Sequence, residues 1–312
     1  MTSRNETSMV ETTIIVVNWN TCDLTCSCLE SIAHHSAGLN VDTVVVDNAS
    51  SDGSQACIRE RFPWVRLIVN EINVGFARAN NQAIRATESE FILLLNSDAE
   101  LLPGTLRNLV ACLRAHPEAA VAGARLLNPD GSFQASYAQF PSLVSEALAL
   151  LKLAPRVYGR YFPSAGPEDS LHTTRADWVG GACMLVRRAT LQHVGLMDEA
   201  YFMYSEEMDW CYAMHRAGWA IYYCADAAVV HYGGQSVQQV NERKLAMLYR
   251  SKLRFFHKNY GRGQFFMLRL MIALSSFVKV VVTILDYMVD QRSRKETMKH
   301  VRAQWNALWL SE

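Results

Sequence analysis

Thr12-Thr13-Ile14-Ile15-Val16-Val17 runs directly into Asn18-Trp19-Asn20. Six β-branched residues, four of them aliphatic, suit a central strand of a parallel sheet covered on both faces. The abrupt change to amide side chains marks where that strand leaves the sheet. Outward from it the pattern repeats. A helix is expected from about Thr21 to His35, a strand over Thr43 to Val46 and a helix near Ser54 to Arg61. A strand over Val65 to Val69, a helix over Phe76 to Ala86, a strand over Phe91 to Leu95 and a helix from Pro103 to about Ala115 follow. Such alternation predicts α/β architecture with a mostly parallel central sheet flanked by helices. In these sheets ligands sit beyond the carboxyl ends of the strands. Asn18 and Asn20, Asp47 and Asn48, Asn73 and Gly75, and Asn96 and Asp98 all fall there.

The second half is less regular. Asn128-Pro129-Asp130-Gly131 reads as a hairpin turn, and Phe140 to Ser170 as an irregular insert with short helices. Trp178-Val179-Gly180-Gly181 leads into the apolar run Ala182 to Val186. A helix capped by Ser205 then runs to about Ala217 and stops at Gly218. A strand pair, Ala220 to Tyr223 and Ala227 to Val230, ends at His231. The expected organisation is a flexible N-terminus (1–11), a catalytic domain (12–238) and a C-terminal helical region (239–312).

Thirty basic and thirty acidic residues cancel in a chain of 312, so no overall field points to nucleic acid. The eight cysteines lack the spacing of a secreted disulfide framework, which fits a reducing compartment. Residues 1–11 are polar and read as neither signal nor anchor, so a cytoplasmic protein is expected. Phe265 to Val289 is apolar over about the length that spans a bilayer, but Arg269, Lys279 and Asp286 interrupt it. A charge near the centre of a span costs roughly 2.5 to 3.5 kcal/mol, which favours a helix lying at the membrane surface with Arg269, Lys279, Arg292, Arg294 and Lys295 reaching toward anionic headgroups. Burial against protein and a true span are the other readings.

Several positions carry candidate chemistry, each with a plainer reading beside it. Asp98 ends the apolar run from Phe91 and suits a hard cation such as Mg²⁺ or Mn²⁺; alternatively it caps the helix near Pro103. His231 precedes Tyr232-Gly233-Gly234 and is either a second ligand or a structural histidine. Glu206, Glu207 and Asp209 crowd a first helical turn, where the helix dipole alone favours acids and where a general base is a rival reading. Asp47, with Asn48 and Asp52, can accept from a pyrimidine imide N–H or form an Asx turn. Cys22, Cys26 and Cys28 are too poorly aligned on one helix face for zinc, with no second pair nearby.

Taken in order, Val17-Asn18-Trp19-Asn20, Val45-Val46-Asp47-Asn48-Ala49-Ser50-Ser51-Asp52-Gly53-Ser54, Asn73-Val74-Gly75-Phe76-Ala77 with Asn80-Asn81, and Leu95-Asn96-Ser97-Asp98 form a spaced set. Gly180-Gly181-Ala182-Cys183, Tyr204 to Cys211, Gly218-Trp219, His231 and Gly234-Gln235-Ser236 complete it. The set resembles the family 2 glycosyltransferases of GT-A fold, in particular the bacterial rhamnosyltransferase-like branch. The resemblance implies a nucleoside-diphosphate sugar donor met by Asn18, Asn20, Asp47, Asn73, Gly75, Phe76 and Ser97. It implies an acceptor and sugar pocket of Trp178, Gly180, Gly181, Glu206 and Asp209, with Mg²⁺ or Mn²⁺ on Asp98 and His231. The family's Asp-x-Asp reads Asn-Ser-Asp here, so affinity for the free ion should be modest. Its Glu-Asp-x-Asp reads Glu206-Glu207-Met208-Asp209, which makes Glu207 the base. Inverting transfer, with rhamnose from dTDP-rhamnose as the first choice, to a glycan or polyprenyl-linked acceptor is expected. The alternatives are a non-catalytic donor-binding or scaffolding subunit and a Rossmann dehydrogenase, the latter lacking any glycine in the first turn.

Overall fold

The computed structural model describes residues 10–164, 166–233 and 241–287, together with 298, 302, 305 and 306. Within helical residues 241–243 and 283–287 only the backbone is described. Gly234-Gln235-Ser236 and the basic residues Arg292, Arg294 and Lys295 lie outside the described residues.

The first half alternates β1 (Thr12–Asn18), α1 (Cys22–His35), β2 (Val41–Asp47), α2 (Ser54–Arg61), β3 (Arg66–Val69), α3 (Phe76–Arg85) and β4 (Phe91–Asn96). Strands β3, β2, β1 and β4 are neighbours in that order, all parallel. Their side chains alternate between two cores. Ile14, Val16, Val45, Leu93 and Leu95 face one; Ile15, Val44, Val46, Ile92 and Leu94 face the other. This two-sided burial is why these strands read as unbroken apolar runs.

Beyond β4 come β5 (Ala99–Leu101), α4 (Thr105–Ala115), β6 (Ala119–Leu127), β7 (Phe133–Gln134), β8 (Tyr137–Ala138), α5 (Leu143–Leu150) and α6 (Ala154–Tyr158). Next are β9 (Thr174–Ala176), β10 (Trp178–Val179), β11 (Cys183–Arg187), α7 (Leu191–Val194), α8 (Glu206–Arg216) and β12 (Ala220–His231). Here the sheet becomes mixed: β11 enters antiparallel between β4 and β6, and β12 runs parallel to β6 but antiparallel to β5. The turn at Asn128–Gly131 joins the antiparallel β6 and β7 as expected.

Two expectations are corrected. Ala220–His231 is one strand rather than a pair. Its register against β6 shifts between Cys224 and Ala228, so Ala225-Asp226-Ala227 is accommodated as an irregularity within a continuing strand. Ser205 stands at the head of α8 without a side-chain cap, because its backbone is left-handed (φ 67°).

The helical stretch α9 (Asn241–Tyr287) is broken at Gly261, whose φ of 84° and ψ of 174° leave the helix. The limb before Gly261 buries Leu253, Phe255 and Phe256, packed with Met208 and Tyr212 of α8 and Leu143 and Leu150 around α5. The limb after it buries Leu268, Ile272 and Ser276 on one side and exposes Phe266, Met267, Leu270, Leu274, Phe277 and Val278 on the other.

Candidate active site

A cavity of about 690 Å³ opens where β1 and β4 end, and the two sequence-derived clusters meet in it. Asp98 and His231 line one part, and Glu206 and Glu207 another. Asn73, Phe76, Ser97, Trp178, Gly180 and Gly181 complete the expected set in its wall. Asn48, expected beside Asp47 at a strand end, also lines it, as do Trp19, Gln134, Ser136 and Tyr204, for which the sequence alone indicates no individual role.

Strand pairing builds the Asp98 corner. Ala99 of β5 stands opposite His231 of β12, and the Tyr232 N–H donates to the Asp98 carbonyl at 2.9 Å. Asp98 therefore continues into a strand and does not cap a helix; α4 starts only at Thr105. His231 Nε2 lies 3.2 Å from Asp98 Oδ1 and 3.3 Å from Asn96 Nδ2. On the far side of the ring, His231 Nδ1 is 2.6 Å from Gln134 Oε1. The Gln134 amide is itself oriented, since its Nε2 donates to Asn128 Oδ1 at 2.9 Å and to the His231 carbonyl at 3.1 Å. Oε1 must then accept from Nδ1–H, so in the neutral ring the Nε2 lone pair faces the Asn96 amide N–H and a carboxylate oxygen. The two acceptors, 3.2 Å apart, favour a positive charge beside them. That separation is close to the roughly 3 Å edge of an octahedron with metal–oxygen bonds of 2.0 to 2.1 Å. The donor set of one carboxylate and one imidazole oriented by Gln134 fits a divalent cation that would complete its coordination with phosphate and water.

The acid corner is built differently. Tyr204 and Ser205 both have positive φ (73° and 67°), a costly conformation for residues with a side chain, and they set the direction in which α8 begins. Ser251 of α9 donates to the Met203 carbonyl at 2.9 Å and holds this loop from behind. Glu206 is 5% exposed, and Glu207 is half-buried beside it. Among the described residues, the Oε2 atoms of both are buried with no protein partner, as is the Tyr204 hydroxyl. Burial pushes both carboxyls above the ordinary carboxylate range, and for Glu206 the charge of Glu207 adds to it. Such a group is matched to taking a proton from a neutral hydroxyl. A Cβ on Gly181 would lie 3.7 Å from Phe76 and 3.8 Å from Glu207 Cβ, so the glycine keeps the space between them open.

The remaining expected residues stand outside the cavity wall. Asp209 is 3% exposed and bonded to Lys258 Nζ and Asn259 Nδ2, both at 2.7 Å, and to the Tyr201 hydroxyl at 3.3 Å. It joins α8 to α9, which corrects its assignment to the sugar pocket: the face it shares with Glu206 turns toward α9 at that level of the helix. Asn18 is fully buried, with its amide spent on Asp47, Ser50, Thr21 and Thr25. Asn20 clasps the loop after β2, its backbone N–H donating to Ser50 Oγ and its Oδ1 accepting from the Ser51 N–H. Gly75 has φ 87°, and a Cβ there would sit 2.5 Å from the Phe202 carbonyl oxygen. It is the point where α3 touches the loop before α8, and Phe76 N–H donates to that same oxygen at 2.8 Å. Asp47 is fully buried. Among the described residues, Oδ1 accepts from Ser50 N–H and Gln55 and Oδ2 from Asn18.

A family model described as "Glycosyltransferase like family 2" matches residues 10–255. The chain is 28% identical over 281 residues to an N-acetylglucosaminyl-diphospho-decaprenol L-rhamnosyltransferase of Mycobacterium tuberculosis, covering 85% of this chain and 89% of the relative. It is 25% identical over 231 residues to the low-salt glycan biosynthesis hexosyltransferase Agl10 of Haloferax volcanii, covering 72% of this chain and 68% of that one. In fold it is similar to a mannosyltransferase of Pyrobaculum calidifontis solved with GDP-Man and Mn²⁺, with a TM-score of 0.58, 16% identity and coverage of 98% of this chain and 89% of the other. The chain therefore belongs to glycosyltransferase family 2, and its mixed sheet flanked by helices is of the GT-A type.

Proposed function

We propose that this glycosyltransferase moves a sugar, with inversion, from a nucleoside-diphosphate donor to a hydroxyl of a lipid-linked glycan, and that L-rhamnose from dTDP-rhamnose is the donor sugar. The observation that carries the reaction is that one cavity holds both an Asp98–His231 pair suited to a cation and a buried carboxylate pair with unpartnered oxygens. The choice of sugar and acceptor rests on similarity to the mycobacterial rhamnosyltransferase.

Asp98 and His231 would hold Mg²⁺ or Mn²⁺, which would neutralise charge developing on the departing diphosphate, and Gln134 fixes the imidazole. Asn48, in the cavity wall next to the fully buried Asp47, meets the pyrimidine, while Asn73 and Phe76 flank the ribose and phosphates. Glu207 Oε2 takes the proton of the acceptor hydroxyl as its oxygen attacks the anomeric carbon opposite the leaving group. Burial keeps that base proton-hungry, and the Glu206 carboxyl beside it is raised by burial and by the Glu207 charge.

The lipid-linked acceptor gives the exposed side of α9 a purpose. Residues 244–282 contain a window long and apolar enough to cross a membrane by length and composition. Burial of Leu268 and Ile272 against the protein makes a surface-lying helix the better reading, with Phe266, Leu270, Leu274 and Phe277 entering the lipid. On this reading the enzyme works at the inner face of the cell membrane.

The test is incubation with dTDP-rhamnose, UDP-hexoses or GDP-mannose and a lipid-diphosphate-linked N-acetylglucosamine, with the product's anomeric configuration read by NMR. Release of dTDP with inversion at the anomeric carbon supports the reading. Retained donor without diphosphate release would make the chain a binding subunit. Flotation with anionic liposomes checks the helix: a chain ending near Arg262 that floats as well as the full chain removes the limb of α9 after Gly261 as the anchor.

A further inference from the structure

Helices α1 and α2 meet through three cysteines that the site does not use. The Sγ atoms of Cys22, Cys26 and Cys57 all lie within 4.8 Å of one another, and those of Cys26 and Cys57 are 2.9 Å apart. Sulfurs sharing a tetrahedral zinc stand roughly 3.8 Å apart, given Zn–S bonds of about 2.3 Å. The Cys26–Cys57 approach is closer than that and less than 1 Å beyond a covalent S–S bond of about 2.05 Å.

The two thiols are unequal. Cys26 is 4% exposed, whereas Cys57 is only half-buried and has Arg61 Nη1 3.8 Å from its sulfur. The Cys26 hydrogen bond and then the Arg61 guanidinium hold the Cys57 thiol below its ordinary range, while burial pushes Cys26 up to about 12. One thiol is therefore accessible and readily ionised; the other is protected and adjacent, as in an attacking and resolving pair.

We propose that Cys26 and Cys57 form a reversible disulfide that tethers α1 to α2, made by exchange with a low-molecular-weight disulfide. Cys57 thiolate attacks one sulfur of RSSR, giving a Cys57–SR mixed disulfide and releasing RS⁻. Cys26 then yields its proton and attacks Cys57 Sγ, expelling the second RS⁻. Two protein thiols are oxidised, RSSR is reduced to two RSH, and the two protein protons end on them. The segment so enclosed contains Asp47 and the loop Ser50–Asp52. That loop is already clasped to the start of α1, because Cys22 N–H donates to Asp52 Oδ2 at 2.8 Å and Ser51 N–H to Asn20 Oδ1 at 2.7 Å. The covalent tether would lock this clasp, and its formation does not depend on the proposed reaction.

The test treats the native full chain with glutathione disulfide, blocks remaining thiols with iodoacetamide and maps non-reduced peptides by mass spectrometry. The expected product joins the peptides of Cys26 and Cys57, is reversed by dithiothreitol, and raises Tm by roughly 5 °C. In Cys57→Ser and Cys57→Ala neither the cross-link nor the Tm shift should appear. Glutathione remaining on Cys57 with Cys26 alkylated would overturn the proposal. So would a Cys22–Cys57 link, or one equivalent of zinc protecting all three thiols in the untreated protein.

Discussion

The two corners of the cavity, both carrying acidic side chains, are constructed on opposite principles. At the Asp98 corner the polar groups are fixed by the chain: strand pairing sets the spacing of Asp98 and His231, and Gln134 sets the ring. At the Glu207 corner two adjacent carboxyls keep buried oxygens with no partner among the described residues, on a helix that begins from two left-handed residues. A preorganised pair suits an ion that must dock in fixed geometry, whereas an unpartnered carboxyl is costly unless substrate supplies its hydrogen bond. Under the proposed mechanism, binding falls to one corner and proton transfer to the other.

Breaking the first corner should have the largest effect. Chelation, or Asp98→Ala, should lower transfer on the order of 10³-fold or more, because the diphosphate then leaves without charge neutralisation. Full activity after EDTA treatment would remove the cation from the account.

Gln134→Leu should be milder. It leaves both ligands in place but frees the ring to change tautomer, so the Mn²⁺ concentration for half-maximal activity should rise about 10- to 100-fold with kcat at saturating metal nearly unchanged. An unchanged metal dependence would mean that the 2.6 Å contact orients nothing.

The second corner is sharpened by pH. Burial raises the Glu206 carboxyl above its unfolded value of about 4.3, so the native state binds that proton more tightly than the unfolded chain. The resulting stability is fully present below the unfolded pKa and is lost as pH rises through the folded one. Glu206→Gln should therefore raise Tm relative to wild type at neutral pH, and the gain should vanish toward pH 4. The acid limb of the activity profile should also lie above the ordinary carboxylate range, as a property of the coupled pair. A Tm gain independent of pH would contradict the buried charge.

The smallest effect on chemistry is expected from Asp209→Asn. It weakens the bond to Lys258, itself 42% exposed at the side chain, and should cost about 1 to 2 kcal/mol of stability while changing kcat less than tenfold. If this variant were inactive with donor binding intact, the base would be Asp209.

The sequence made legible what repeats along the chain. The β-branched strands, the amides and acids that end them, and the acidic start of α8 all carry a local signal, and the structure brings most of them to one cavity. What stayed hidden depends on partners remote in sequence. Gln134 sits in a two-residue strand with no periodicity and reaches His231 only through the sheet. Cys57, rather than Cys28, joins Cys22 and Cys26 because α2 packs on α1, which no spacing within one helix reveals. Asp209 reads like its acidic neighbours until Lys258 and Asn259 of α9 claim it. The antiparallel entry of β11 was equally invisible, since a buried apolar strand reads the same in either direction.

Glu207→Gln tests the division of labour most directly, with donor affinity and single-turnover transfer measured on the same preparation. The amide preserves shape but cannot accept the proton, so transfer should fall roughly 10² to 10⁴-fold while donor binding stays nearly unchanged. Retention of more than about a tenth of wild-type turnover would contradict proton transfer by Glu207.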